Sequence, residues 1–259
     1  MVNYIFRRSI FKIREMAFGT YEDTKMSGSD VIYMHSSDEE VLCADGVCKK
    51  QYTLVTDLTL DESELLSKVK KNARYEIRRA EREEANCKYF SSEELKNHPE
   101  EIDLFESIYN KMFSVKGMDS YSFNRNLVIA GIESGNVIIT KCIDRNDSEL
   151  VVYHLYLSDE KNTILVYSAS PVWENPDKEK VNAIGRMNKL LHWKDIVYFK
   201  TNGYSRLEWG GITDPVNPNG IDKFKMEFGG EIACYVNYIL PNSLLGKIYI
   251  FLLRRRGMK

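Results

Sequence analysis

Between Asn136 and Leu240 the apolar pattern of this chain switches from strand period to helix period and back, and that order constrains the fold most. Three runs rich in β-branched, aromatic and leucine residues come first: Asn136–Ile143, Leu150–Leu157 and Thr163–Ser170. Polar turns at Asp144–Asp147 and Asp159-Glu160-Lys161-Asn162 separate them, so they read as an antiparallel meander. A long helical span, Lys180–Thr201, follows and ends at Asn202-Gly203, a pair suited to a left-handed cap. A strand Ser205–Trp209, a short helix over Phe224–Phe228 and a strand Glu231–Leu240 complete the order. The expectation is an α+β fold with a mixed β-sheet flanked by helices.

The upstream half is less regular. Residues 1–58 read as a small β-rich segment, with Val31–Met34 and Gln51–Val55 as its best strands. A helix should start at Asp61 or Ser63, with Glu62 and Glu64 at the positive end of its dipole. Leu65, Leu66 and Val69 follow helical spacing, and Ala73, Ile77 and Ala80 continue one apolar face through a run of charges. A further helix spans Pro99–Phe113, with Ile102, Phe105, Ile108, Tyr109 and Met112 at core spacing, and a short one includes Leu127–Glu133.

At 259 residues with 43% hydrophobic content, the chain has apolar material for one large domain or two small ones. A formal net charge of −2 disfavours a whole-molecule polyanion binder and leaves only local basic patches. Cys43, Cys48, Cys87, Cys142 and Cys234 are odd in number and lack zinc-site spacing, so they read as reduced thiols with no metal. No run approaches the ~18 consecutive apolar residues of a membrane span, and the N-terminus lacks a signal-peptide pattern. The expectation is a cytoplasmic protein. The tail Gly246–Lys259 combines an apolar run with an Arg triplet. It either lies on an anionic inner-membrane surface or packs Ile248, Phe251 and Leu252 against the domain.

The segment Asn182–Glu231 carries N-x-x-L-L-H-W, then W-G-G-I, then F-K-x-x-F-G-G. In that order these motifs resemble the C-terminal half of a GNAT-type acyltransferase. Within that superfamily the chain is most similar to the Fem-type peptidoglycan aminoacyl transferases and BioF-like acetyltransferase domains. The segment L-T-x-D-E-S-E-L-L-S-K-V-K-K-N-A-R-Y-E-I-R-R-A-E is similar to the lead-in to their catalytic domain, and the resemblance covers roughly residues 52 to 240. It implies a GNAT-like domain over 59–240, a partial first domain over 1–58 and a basic amphipathic tail over 241–259.

The same resemblance suggests site residues. His154 lies in LVVYHLYL, where alternation groups it with Val152 and Tyr156; it is either a satisfied core histidine or, as the family implies, a base facing the cleft. Ser168 and Ser170 end the next strand and could flank it. Lys225 is either a surface lysine on a helix anchored by Phe224 and Phe228, or the lysine that balances charge on the acyl end of the donor. Val181–Asn188, with Gly185, Arg186 and Asn188, stands where GNAT enzymes hold the pyrophosphate of acyl-CoA, but it has one glycine where that turn has two. Gly185 could equally be a close packing contact. Asn188 and His192 share a helix face and could fix the helix to the sheet, with Trp193 packing. Lys71, Arg74, Arg78, Glu208 and, more weakly, Asp214 are candidates for substrate contact.

The implied activity is transfer of an acyl group from a thioester or ester, with acyl-CoA as donor, to an amine or hydroxyl of a small-molecule or lipid-linked envelope or polysaccharide precursor. The first alternative is an aminoacyl-tRNA-dependent transferase acting on a peptidoglycan precursor, which a basic groove beside the cleft would favour. The second is a degenerate GNAT fold used as a binding module, which a cleft filled by its own side chains would favour.

Overall fold

The computed structural model describes residues 1–37, 45–118, 122–173 and 177–255. Cys43 and residues 256–259 of the tail lie outside them. Ten strands form one mixed sheet. In chain order they are β1 (Val2–Arg8), β2 (Phe11–Ala17), β3 (Val31–Ser37), β4 (Val47–Asp57), β5 (Asn86–Ser91), β6 (Val137–Ile143), β7 (Val151–Ser158), β8 (Asn162–Ala169), β9 (Arg206–Ile212) and β10 (Glu231–Pro241). Their order across the sheet is β1-β2-β3-β10-β4-β9-β8-β7-β6-β5. The expected meander is β6–β7–β8, antiparallel throughout.

The helices are α1 (Glu62–Lys68), α2 (Lys71–Arg82), α3 (Ser92–Asn97), α4 (Pro99–Val115), α5 (Arg125–Glu133), α6 (Lys178–Thr201), α7 (Gly220–Lys225) and α8 (Leu244–Arg255). Asp61 and Glu64 form a reciprocal capping box at the start of α1. The run after it breaks at Val69–Lys70, where both residues turn extended, so two helices stand where the apolar spacing suggests one. The broken turn is not left unpaired: Lys70 N–H donates to the carbonyl of Glu227 at 2.7 Å.

That contact explains the Phe-Gly-Gly stop. Gly229 and Gly230 have φ of +77° and +95°. A Cβ on Gly229 would lie 2.6 Å from Lys68 Cβ, and one on Gly230 would lie 2.6 Å from the carbonyl oxygen of Val55. Only glycine accepts both the backbone conformation and the close approach.

The two largest cores lie on opposite faces of the sheet, and a smaller one gathers Met16, Ile32, Met34 and Tyr238. On one face α1, α2 and α6 cover Leu54, Val152, Tyr156, Leu207 and Trp209. On the other, α4, α5 and α8 enclose Tyr153, Leu155 and Leu157 together with Val2, Tyr4, Ile13 and Val31 of the N-terminal strands. The sheet curls around this second core. β3 and β9 are three strand spacings apart, roughly 14 Å in a flat sheet. Yet Ser36 Oγ donates to Glu208 Oε1 at 2.7 Å. β1 folds far enough over to meet α5, where Asn126 Nδ2 donates to the carbonyl of Arg7 at 3.1 Å.

The expected N-terminal segment is therefore more regular than its sequence suggests. β4 is a central strand between β10 and β9. α8 also differs from expectation: it seats Tyr249, Ile250 and Leu253, while Ile248, Phe251 and Leu252 are 52%, 54% and 45% exposed. The cause is Gly246. A Cβ there would lie 1.9 Å from the carbonyl oxygen of Asp30, so the helix approaches along the Gly246–Tyr249–Leu253 stripe.

Candidate active site

β8 and β9 run parallel for only three residue pairs, Asn162↔Arg206, Thr163↔Leu207 and Ile164↔Glu208. Beyond Ile164 they pair no further, leaving a parting bounded by the last residues of β8 and by Gly210–Gly211. Gly210 has φ of +68° and no room for a Cβ, which would lie 3.0 Å from the carbonyl oxygen of Leu165. α7 delivers Lys225 to this place. Asn219 caps α7 by accepting from the N–H groups of Ile221 and Asp222. Buried Phe228 and half-buried Phe224 hold the turn that follows. Lys225 Nζ donates to the carbonyl of Gly211 at 2.8 Å. Burial lowers the pKa of this ammonium, and the negative charges of Asp222 and Glu208 oppose that shift.

On the α6 face the parting is closed. His154 of β7 is fully buried. Its Nδ1 lies 2.7 Å from Asp195 Oδ2, and its Nε2 lies 2.9 Å from Asn188 Oδ1. Tyr156 Oη donates to the same Asp195 oxygen at 2.7 Å. The His154 ring is 4.0 Å from that of His192, which in turn lies 4.7 Å from Trp209. Burial pushes the His192 pKa well down, with His154 and Lys225 adding to the shift. The space between α6 and Trp209 is thus filled by His192, Phe224 and Phe228. A proton-accepting role for His154 would need this network to open. Ser168 is the cross-strand partner of His154, as its position predicts, and Ser170 follows just beyond the strand.

Asp195 is the member of this network that the sequence reading missed. It lies three residues after His192 and seven after Asn188, a spacing that places all three on one face of α6. His154, His192 and Asp195 bring donor atoms within 4.8 Å of one another. The His154–Asp195 contact is a direct hydrogen bond, too short to hold between its atoms an ion whose ligands each stand about 2.0–2.2 Å away. These side chains therefore tie α6 to β7.

The expected phosphate turn is not at a helix end. α6 starts at Lys178 with Asp177 as its cap, so the N–H groups of Val181–Asn188 lie within the helix. Gly185 is exposed, and a Cβ there would meet nothing within 4 Å, so close packing does not explain it either. Arg186 is buried against α2, with Nε 2.9 Å from Glu83 Oε2. Lys189 strengthens the same contact by bridging Glu76 and Glu227. On α2, Arg74 is half-buried, with a guanidinium contact of 3.4 Å to the carbonyl of Leu66. Lys71 and Arg78 are exposed and, with exposed Tyr75 and Arg82, fall on one helical stripe. Asp214 shapes its own loop by accepting from the N–H groups of Val216 and Asn217.

Glu208 faces the other way, into the curl of the sheet. It is 3% exposed; Ser36 holds one carboxylate oxygen and Arg206 the other, at 2.9 Å. Nearby, a cleft of about 520 Å³ opens beside β1 and the end of β8, lined by Arg8, Tyr109, Phe123, Arg125 and Tyr167.

No family model matches the chain, and no curated protein matches it. Solved structures do. The C-terminal domain of a putative lysylphosphatidylglycerol synthetase from Agrobacterium fabrum superposes with a TM-score of 0.57 at 11% identity, covering 96% of this chain and 83% of that one. FemX gives 0.56 at 12% identity, over 95% and 85%. The chain has the fold of FemX and of this synthetase domain. L-PGS from Bacillus licheniformis gives 0.52 at 11% identity, over 99% and 86%. The likeness spans nearly the whole chain, so β1–β4 belong to the shared architecture as much as the expected 59–240 region does.

Proposed function

We propose that the protein transfers an acyl or aminoacyl group from an ester donor to a cell-envelope precursor, with aminoacyl-tRNA as donor. The observation that carries this reading is Lys225 at the parting of β8 and β9. A partly desolvated ammonium there can stabilise the oxyanion formed when a nucleophile attacks an acyl carbon. Two observations favour tRNA over the acyl-CoA expected from sequence. The residues expected to cradle a pyrophosphate are spent inside α6 and on Glu83. On α2, Lys71, Arg78 and Arg82 flank the exposed ring of Tyr75, a surface that suits phosphates and a stacked base. The cleft at Arg8 is proposed as the acceptor entrance. FemX and the lysylphosphatidylglycerol synthetases share the fold at low identity, which supports this class of reaction without specifying it.

Peripheral contact with an anionic membrane through α8 belongs to the same reading. Its outward face presents Leu244, Ile248, Phe251 and Leu252 with Lys247, Arg254 and Arg255, and it carries no acidic residue. Among the described residues no helix is long and apolar enough to cross a membrane.

The test is a transfer assay with a muropeptide precursor and, separately, aminoacyl-tRNAs and acetyl-CoA. Transfer from aminoacyl-tRNA that falls about 100-fold or more in Lys225→Met supports the reading. Transfer from acetyl-CoA restores that donor. The packed space between α6 and Trp209 favours a second reading, a binding module that has lost catalysis, and absence of transfer from either donor selects it.

A further inference from the structure

Inside the curl of the sheet lies a polar cluster that the reaction described so far does not use. Its members are Glu15 of β2, His35 and Ser36 of β3, and Arg206 and Glu208 of β9. His35 Nε2 lies 2.8 Å from Glu15 Oε1. A carboxylate at that nitrogen fixes the ring proton there and leaves the lone pair on Nδ1. Nδ1 meets no hydrogen-bond partner among the described residues. The carboxylate side chains of Glu15 and Glu208 are each 4% exposed, yet the His35 side chain remains 36% accessible. The His35 ring is thus partly open to solvent in a buried acidic setting.

Three further observations point to a ligand. Glu15 Oε2 and Arg206 Nε are buried without a partner, which is costly unless something else satisfies them. Ser36 holds a left-handed backbone at φ +56°, uncommon for a non-glycine residue, and this conformation accompanies its bond to Glu208. Glu208 is also the last residue of β9 paired with β8, so the cluster begins where the two strands part. Its charge acts on both Lys225 and His35.

We propose that His35, held by Glu15, is the catalytic base of the transfer, and that the acceptor it serves is a primary amine bound as an ammonium beside Glu15 and Glu208. The proposal rests on the acyl-transfer reading above. With His35 neutral, as a base must be, two carboxylates against one guanidinium leave the pocket net negative, which suits a cation better than a neutral hydroxyl. The ammonium gives one proton through Nδ1 to water. The free amine attacks the acyl carbon, a C–N bond forms, and the carbonyl pair becomes the oxyanion beside Lys225. As the acyl C–O bond breaks, Nδ1 carries a second proton from nitrogen to the leaving oxygen. The products are an amide, an alcohol and one released proton.

The charged groups acting on His35 are Glu15 from β2 and Glu208 from β9, with Arg206 paired to Glu208; on β10, Asn237 accepts from the N–H of the adjacent Ser36. Burial alone would lower the His35 pKa, but Glu15 and Glu208 outweigh it and raise the pKa above the ordinary value. The acid limb of the rate profile should therefore lie above that of a free histidine.

The test measures kcat/KM against pH for the wild type, His35→Gln and Glu15→Gln, using a muropeptide precursor with a free lysine amine and, in parallel, phosphatidylglycerol vesicles as a hydroxyl acceptor. Melting temperatures establish that each variant folds. The expected result is transfer to the amine, a rate about 100-fold lower in His35→Gln with its acid limb gone, and an acid limb moved to lower pH in Glu15→Gln. A His35→Gln enzyme that folds and keeps the wild-type rate and profile overturns the base while leaving acyl transfer intact. Transfer to phosphatidylglycerol alone overturns the amine acceptor. Absence of transfer to either acceptor overturns the acyl-transfer reading and this proposal with it.

Discussion

At the scale of single residues, His192 makes the clearest stability prediction. Its ring is packed among His154, Trp209, Phe224 and Phe228, and burial holds its pKa well below the ordinary 6.5. Below pH 6.5 the unfolded chain binds a proton that the folded chain refuses. The contribution to stability is therefore complete above 6.5 and lost as pH falls, by at most about 1.4 kcal/mol per pH unit. His192→Phe should flatten the decline in unfolding free energy between about pH 6.5 and 5, measured by urea titration at each pH. An unchanged slope would mean that His192 is not the group responsible. The burial of His154 and His192 was one of the readings open from strand alternation and helix spacing. The Glu15–His35 pair was not, because it depends on strand pairing. A signal was present nonetheless: in FKIREMA and VIYMHSS, Glu15 and His35 occupy inward positions otherwise taken by Ile13, Ala17, Val31 and Tyr33.

At the scale of elements, period and capping were legible where a segment buries one face. The meander, α4, α6 and β10 fall close to their expected spans. The α1–α2 break was not legible, because its cause is the distant carbonyl of Glu227. β1 and β2 were missed because each carries charged residues on its outward face, as in Arg7, Lys12 and Arg14. α8 shows the same limit: its amphipathic character was readable, but which stripe faces inward was decided by Gly246 against Asp30. The rotation leads to a prediction. Ile248→Glu together with Phe251→Glu should weaken binding to phosphatidylglycerol-containing vesicles at least tenfold, by removing apolar area and adding like charge. Because both side chains are more than half exposed, the melting temperature should stay within about 2 °C of the wild type. Equal sedimentation of wild type and variant with such vesicles would remove α8 as the contact.

At the scale of the whole molecule, the curled sheet makes the N-terminal segment inseparable from the rest. A partial first domain over 1–58 would place few contacts across its boundary. Instead β4 contributes ladder bonds on both sides, to β10 and to β9, and β3 pairs with β10, so the sheet interior crosses that boundary three times. The core enclosed by the curl draws on β1, β2 and β3 as well as on α4, α5 and β7. Removing residues 1–58 would expose the edges of β9 and β10 and one face of that core, an aggregation hazard more than a smaller domain. The chain should therefore unfold in one cooperative step. All three tryptophans, Trp173, Trp193 and Trp209, lie after residue 58, so fluorescence reports on the later region while far-UV circular dichroism also sees β1–β4. Coincident urea transitions by the two probes are expected. A circular dichroism loss that precedes the fluorescence change would mean that the N-terminal strands open alone. Glu15 and His35 would then be carried on a separable unit, and the base would reach the strand parting only when that unit is docked.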